Sequence, residues 1–319
     1  MVVSGLRDRT ERRHLVLVGL AVLVALAGCA GGTGNGTETP ANTTTPNETP
    51  TDSVDGNESS LTQNASIDNY TAGEALESDL TPAEELSVSG DQVASDARTV
   101  LETVSAYRLT GNSTLRTQSN NVDQSQEITR ETRVDRERSR LASNQTVSVR
   151  GQTITQATYI VDGTLYQRSE QFVRQYNSEW VKQDISENFS EVFGTSDRLA
   201  LYERMLGNGS VSLEGAQQVD GADTYRLQVR TDSTSFADVF GLPSASESDV
   251  AMVTTLWVDT ESSAVVRAEG ALEMVTTLQG QPTVVSGTYV EQFEYTTVNV
   301  SLPEEAGTAV EIGTDGSAG

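Results

Sequence analysis

Apolar and polar positions alternate differently in different parts of this chain, and the changes of pattern mark out its organisation. Residues 15–27 form an apolar run of roughly a dozen residues behind the basic Arg7, Arg9, Arg12 and Arg13. A helix needs roughly 20 such residues to cross about 30 Å of hydrocarbon, so this run has the length of an export-signal core and not of a span. From residue 30 to about 80 apolar residues are sparse, and Thr, Asn, Gly and Glu dominate together with Pro40, Pro46 and Pro50. Such a segment buries too little surface to order itself, and the expectation is a disordered tether with an rms span on the order of 40 Å.

A 3.6-residue period then appears over 90–105. Val93, Ala97, Val100, Leu101 and Val104 make one stripe, with Ser89 or Asp91 as the N-cap. From Tyr107 the period drops to two: Tyr107, Leu109 and Leu115 alternate with polar residues, and Ile128, Thr132 and Val134 recur on the next segment. The strand at 158–161, the pair Asp162-Gly163 and the strand at 164–167 predict a tight hairpin, because Asp-Gly supplies positive φ at both turn positions. The same signal recurs at Asp220-Gly221, ahead of Tyr225, Leu227 and Val229.

Residues 172–182 are expected as a further strand, and 197–206 as a second helix stopped by Gly207. A helical turn around Phe236, Val239 and Phe240 should end at Gly241 and Pro243. The remainder reads as a meander of strands at 250–258, 264–278, 284–295 and 298–302, followed by a frayed Gly-rich tail. A sheet with one apolar face needs helices to cover it, which makes the fold class α+β. The expected organisation is a signal peptide at 1–28, the tether at 29–80, one domain at 81–305 and a flexible tail at 306–319.

Charge narrows the function. Asp and Glu number 46 against 21 Lys and Arg, the formal net charge is −25, and Lys182 is the only lysine. That balance repels nucleic acid, whose phosphates are bound through Lys and Arg clusters. The acidity is spread along the chain, as in proteins of extreme halophiles, where concentrated salt screens self-repulsion. The crowded charges of 130–140 admit an anion patch or a solvated strand with cross-strand ion pairs, and their interleaved signs favour the second.

Cys29 is the only cysteine and His14 the only histidine. Disulfides within the chain, Cys/His zinc sites, Cys–His nucleophiles and Ser–His–Asp triads are thereby excluded. Carboxylate pairs such as Glu247 with Asp249, or Asp238 with Glu247, arise by chance in so acidic a chain. The expectation is therefore a binding or structural protein with no enzymatic activity, cofactor or metal.

The leader carries chemistry of its own. Arg12-Arg13 looks like a twin-arginine export signal, against the alternative of an ordinary secretory signal with an incidental pair. Leu26-Ala27-Gly28-Cys29 resembles a lipobox, so cleavage before Cys29 would leave it as the lipidated N-terminus, anchored at the extracytoplasmic face of the cell membrane. Asn35, Asn42, Asn47, Asn57, Asn64 and Asn69 each begin an N-x-Ser/Thr sequon on the tether, as do Asn112, Asn144, Asn188, Asn208 and Asn299 in the domain.

The phrases Val219-Asp220-Gly221-Ala222-Asp223-Thr224-Tyr225-Arg226-Leu227 and Trp257-Val258-Asp259-Thr260 followed by Val265-Val266-Arg267 resemble the LolA, LppX and LprG group of lipoprotein-like carriers, haloarchaeal members among them. The resemblance spans about 88–302. It implies a strongly curved antiparallel sheet, a half-barrel, closed by two or three helices over an apolar cavity that takes acyl chains. The candidate lining residues are then Tyr107, Leu109, Leu115, Tyr225, Leu227, Trp257, Phe293 and Tyr295, each of which could equally be plain core. The partner would be a lipid or hydrophobic small molecule, bound by a monomer. The preponderance of acidic residues departs from the group and argues against an anionic cargo. The alternative is an envelope structural or interaction protein with a packed core.

Overall fold

The computed structural model describes residues 67, 70–73, 76, 79–119, 122–240, 249–278 and 281–313. The expectations for Arg12, Arg13, Cys29, Asn35, Asn42, Asn47, Asn57, Asn64, Asn69, Gly241, Pro243 and Glu247 lie outside them.

After a two-residue strand β1 (Thr81–Pro82) comes helix α1 (Gly90–Thr103), whose first turn is capped by the Ser89 hydroxyl accepting from the Gln92 N–H. Five strands follow as successive hairpins: β2 (Ala106–Ser119), β3 (Val122–Asp135), β4 (Arg140–Val149), β5 (Gln152–Val161) and β6 (Thr164–Ser169). Then come α2 (Phe172–Tyr176), β7 (Trp180–Asp184), α3 (Phe189–Ser196) and α4 (Arg198–Asn208). The rest is β8 (Ser210–Val219), β9 (Ala222–Thr231), α5 (Ser233–Phe240), β10 (Asp249–Asp259), β11 (Val265–Leu278), β12 (Gln281–Glu294) and β13 (Val310–Glu311).

All thirteen strands join one sheet in the order β1-β8-β9-β10-β11-β12-β2-β3-β4-β5-β6-β7-β13. Every pairing is antiparallel except β13 on β7. The sheet does not close, and β1 and β13 stand at its two ends. This is the expected α+β fold, an open antiparallel sheet with helices on it.

Both Asp-Gly turns form as expected: Asp162 and Gly163 have φ of 51° and 78°, Asp220 and Gly221 of 51° and 85°. Other elements depart from the sequence reading for identifiable reasons. Residues 172–182 are not one strand, because the Phe172 and Tyr176 rings meet edge-on at helical spacing, 6.0 Å apart, and Asn177 ends the turn at φ 52°. Helix α3 was not anticipated; its Phe189 and Phe193 stack at 5.8 Å and pack on the core with Val192. Gly207 does not stop α4, which runs on to Asn208. The glycine that position demands is Gly209, where a Cβ would lie 2.6 Å from Val229 and 2.8 Å from the Met205 carbonyl.

The expected strand at 298–302 is instead an irregular strap. Its Val298, Val300 and Leu302, with Ala306 and Ala309, cover Ala142, Ala157, Tyr159, Val161 and Trp180 on one face of β4–β7. The tail expected to fray from Ala306 is ordered as far as β13, and Ala306 is buried. At the other end, Tyr70, Ala72 and Leu76 of the expected tether pack on Trp257, with the Gly73 N–H donating to Glu269 at 2.8 Å.

The straps share one face of the sheet and the helices take the other. On the helix side, Val93, Ala97 and Leu101 of α1 and Leu199, Tyr202 and Met205 of α4 pack with Tyr107, Leu109, Val134, Leu141, Ile160, Leu227, Leu256 and Val258. We call this the inner face.

Candidate functional site

Strand pairing lets the inner face be read in rows across the sheet. One row joins Leu256, Ala268, Glu291, Gly111, Arg130, Gln145 and Gln156 through successive register partners. Its centre is polar, and α4 lowers Arg198 and Tyr202 onto it. Arg198 Nε donates to Glu291 Oε1 at 2.9 Å, and the Tyr202 hydroxyl to Oε2 at 2.6 Å. Gln145 donates to Gln156 at 2.6 Å. Glu291 is 4 % exposed, and both its oxygens are taken. Gly111 leaves room for it, since a Cβ there would lie 3.1 Å from the Glu291 Cγ.

The electrostatics of this belt follow from burial. Burial is the largest influence and disfavours the charged guanidinium of Arg198, but Glu291, Tyr202 and Tyr289 together outweigh it and its pKa rises. Tyr202 is pushed well above the ordinary phenol value, first by burial and then by Glu291. Arg130, two strands along the row from Glu291, is pulled down by burial and next by the charge of Arg198. Among the described residues it makes no hydrogen bond or ion pair, because Glu291 is already held by Arg198 and Tyr202.

The belt separates two apolar regions. On one side lies the core under the helices, closed by Asp197. This buried carboxylate caps α4 through the Leu199 N–H at 3.1 Å, accepts from the Tyr107 hydroxyl at 2.8 Å and from Arg136 Nε at 2.7 Å. Arg136 also donates to the carbonyls of Leu101 and Val104 at the end of α1.

On the other side are Ile128, Val147 and Ile154 in one row, and Leu272, Gly287 and Leu115 in the next. Ile128, Ile154, Leu272 and Val285 there are only half-buried, while Leu115 and Val147 are buried yet belong to none of the three side-chain clusters that form the core. Small residues thin this region: the Tyr289 ring lies over Gly270, 2.5 Å from where a Cβ would sit, and reaches Thr254 at 2.6 Å. Leu115 likewise lies over Gly287, 3.2 Å from its Cβ position. Glycines on adjacent strands are where a sheet bends most easily.

The eight candidate lining residues therefore fall into different places. Tyr107, Leu109, Leu227 and Phe293 are closed core under the helices, and the half-buried Tyr225 and Tyr295 flank it. Trp257 lies on the opposite face, between Arg226 and Arg267 at 5.9 and 5.7 Å and beneath Ala72. Only Leu115 belongs to the apolar region beyond the belt. The sequence reading missed Ile128 as a lining residue, although its two-residue spacing with Thr132 and Val134 was visible, and it missed Arg130 as an inward group. The charged stretch 130–140 is a solvated strand only in part: Arg108 meets Glu131 at 3.5 Å and Arg140 meets Asp162 at 2.8 Å, but Arg130 and Arg136 point inward.

Two cavities are lined largely by polar residues. One of about 380 Å³ lies among Thr110, Gly111, Asn112, Thr129, Arg130 and Gln145. One of about 390 Å³ lies beside Arg230, Asp232, Ser233 and Asp249. Among the described residues no three His, Cys, Asp or Glu groups gather as a metal site, and no helix is long and apolar enough to cross a membrane.

No protein-family model and no curated protein matches the chain. Among solved structures it is similar to the lipoprotein LppX of Mycobacterium tuberculosis, at 15 % identity and a TM-score of 0.37 over 66 % of this chain and 97 % of that one. It is similar to LprF of Mycobacterium bovis at 12 % identity and a TM-score of 0.37, over 70 % and 99 % of the two chains. A LolA superfamily protein of Nitrosomonas europaea aligns at 13 % identity and a TM-score of 0.23, over 67 % and 96 %.

Proposed function

We propose that this chain is a lipid-anchored extracytoplasmic protein that binds or carries a hydrophobic ligand, an acyl lipid in the first instance, on the inner face of its sheet. The observation that carries the reading is the apolar region beyond the belt. Ile128, Ile154 and Val285 line a face of the sheet and keep part of their surface open. Apolar surface left open in a fold that closes its other faces with helices and straps marks a place of contact. Burying a lipid chain there is favoured by about 0.8 kcal/mol per CH₂. The action is sequestration, with no bond made or broken. Anchoring rests on the export core and on Cys29, which place the domain outside the cell on a tether.

Two measurements test this. Native mass spectrometry of the purified chain should find lipid bound in near-stoichiometric amount; a ligand-free protein that takes up no added lipid overturns the reading in favour of a packed envelope protein. Cys29→Ser should move the protein from the membrane fraction to the medium, and unchanged membrane association would refute the anchor.

A further inference from the structure

On the reading of the inner face as a lipid site, we infer that Arg130 is its anion subsite, so that the ligand is an acyl lipid with an acidic head group, carboxylate or phosphate. The placement carries this. Arg130 stands at the boundary between the polar belt and the apolar region, and Ile128, two residues along the same face of β3, begins the apolar rows. A head group at Arg130 lays its chain over Ile128 and Ile154, the half-buried members of the next row.

The two inner arginines differ in what they have. Arg198 has a carboxylate at 2.9 Å and a tyrosine ring beneath it, 5.9 Å from its guanidinium. Arg130 has neither. Arg130 is half-buried, and an inward guanidinium in such a place is normally paired with an acceptor. Glu291 does not serve it, because Arg198 and Tyr202 occupy both carboxylate oxygens. A second unpartnered group lies on the same face of the same strand: Gln126 is 6 % exposed and its side-chain oxygen has no partner. Arg130, Ile128 and Gln126 thus present a charge, an apolar step and an amide in line along β3, which suits a ligand with an acidic head and a second polar group on its chain. The net charge of −25 argues against an anionic cargo in general, and the local arrangement at Arg130 is what favours one here.

The test uses the full chain, with oleate, oleyl alcohol and inorganic phosphate as probes in displacement of a fluorescent fatty acid at high salt. The wild type is expected to bind oleate about tenfold more tightly than oleyl alcohol, a ratio that corresponds to one charge-assisted contact. Arg130→Gln should abolish that preference while leaving alcohol binding unchanged, and Arg130→Lys should restore part of it. Arg130→Gln should also leave the thermal midpoint unchanged, because Arg130 makes no hydrogen bond or ion pair among the described residues, and that readout shows the variant is folded.

Preference retained in Arg130→Gln overturns the subsite, as does equal binding of both probes by the wild type. A wild type that binds neither overturns the hydrophobic-ligand reading itself. Phosphate that displaces oleate at equal concentration replaces the lipid head group with a free anion as the true occupant.

Discussion

The two sides of the polar belt are built from the same kind of strand and end differently. Under the helices every inward apolar side chain meets another, and Asp197 ties Tyr107, Arg136 and the start of α4 into one buried network. Beyond Glu291 and Arg130 the same alternation leaves Ile128, Ile154 and Val285 partly open, and Tyr289 and Leu115 reach over Gly270 and Gly287. The first arrangement is what stability requires. The second gives up packing in exchange for a surface that something else can cover.

This contrast can be broken most severely at Asp197. Asp197→Ala removes the carboxylate partner of Arg136 and of the buried Tyr107 hydroxyl and uncaps α4, and is expected to cost about 3–5 kcal/mol, read by urea unfolding. Truncations should then divide along the belt. Leu227→Ala in the closed half should cost about 2–5 kcal/mol, while Ile128→Ala beyond it should cost about 1 kcal/mol or less and instead reduce the lipid recovered with the protein. Equal losses from the two variants would mean that the halves are packed alike.

Alkali gives a finer probe. Burial, followed by the charges of Asp197 and Glu291 respectively, holds Tyr107 and Tyr202 neutral well above the ordinary phenol value, and burial with Glu269 raises Tyr70 to about 12. Their pKa values are raised on folding, so their contribution is complete below the unfolded phenol value of about 10 and is lost as pH rises toward the folded ones. Absorbance near 295 nm should show these phenols ionising only together with unfolding. Early, independent ionisation of Tyr202 would show that the belt is open to water. The smallest effect is at the rim of the closed half: Ser89→Ala removes the cap of α1 and should cost about 1 kcal/mol.

Much of the sheet was legible because its signals are local. The two Asp-Gly turns need only adjacent residues with positive φ, and the stripe on α1 needs only its own spacing. The misses came where distant partners decide. Residues 298–302 alternate like a strand, yet they cover the outer face of β4–β7 as an irregular strap. Composition made 70–76 look like free tether, but Trp257 offers it a surface. The candidate site suffered most from parity. Leu256 and Trp257 are successive residues on one strand and therefore face opposite ways, and an apolar pair of this kind does not say which member the helices will cover.

The sequence by itself determined a strongly acidic chain with no histidine or cysteine chemistry in its domain, and strands that pair as successive hairpins. Tertiary structure alone decided which face of those strands is inner, where α4 lays Arg198 and Tyr202 across Glu291, and hence that Arg130 is left without a partner. The reason is physical: a two-residue period defines two faces without ranking them, and the neighbours of an inward side chain come from strands and helices far away in sequence.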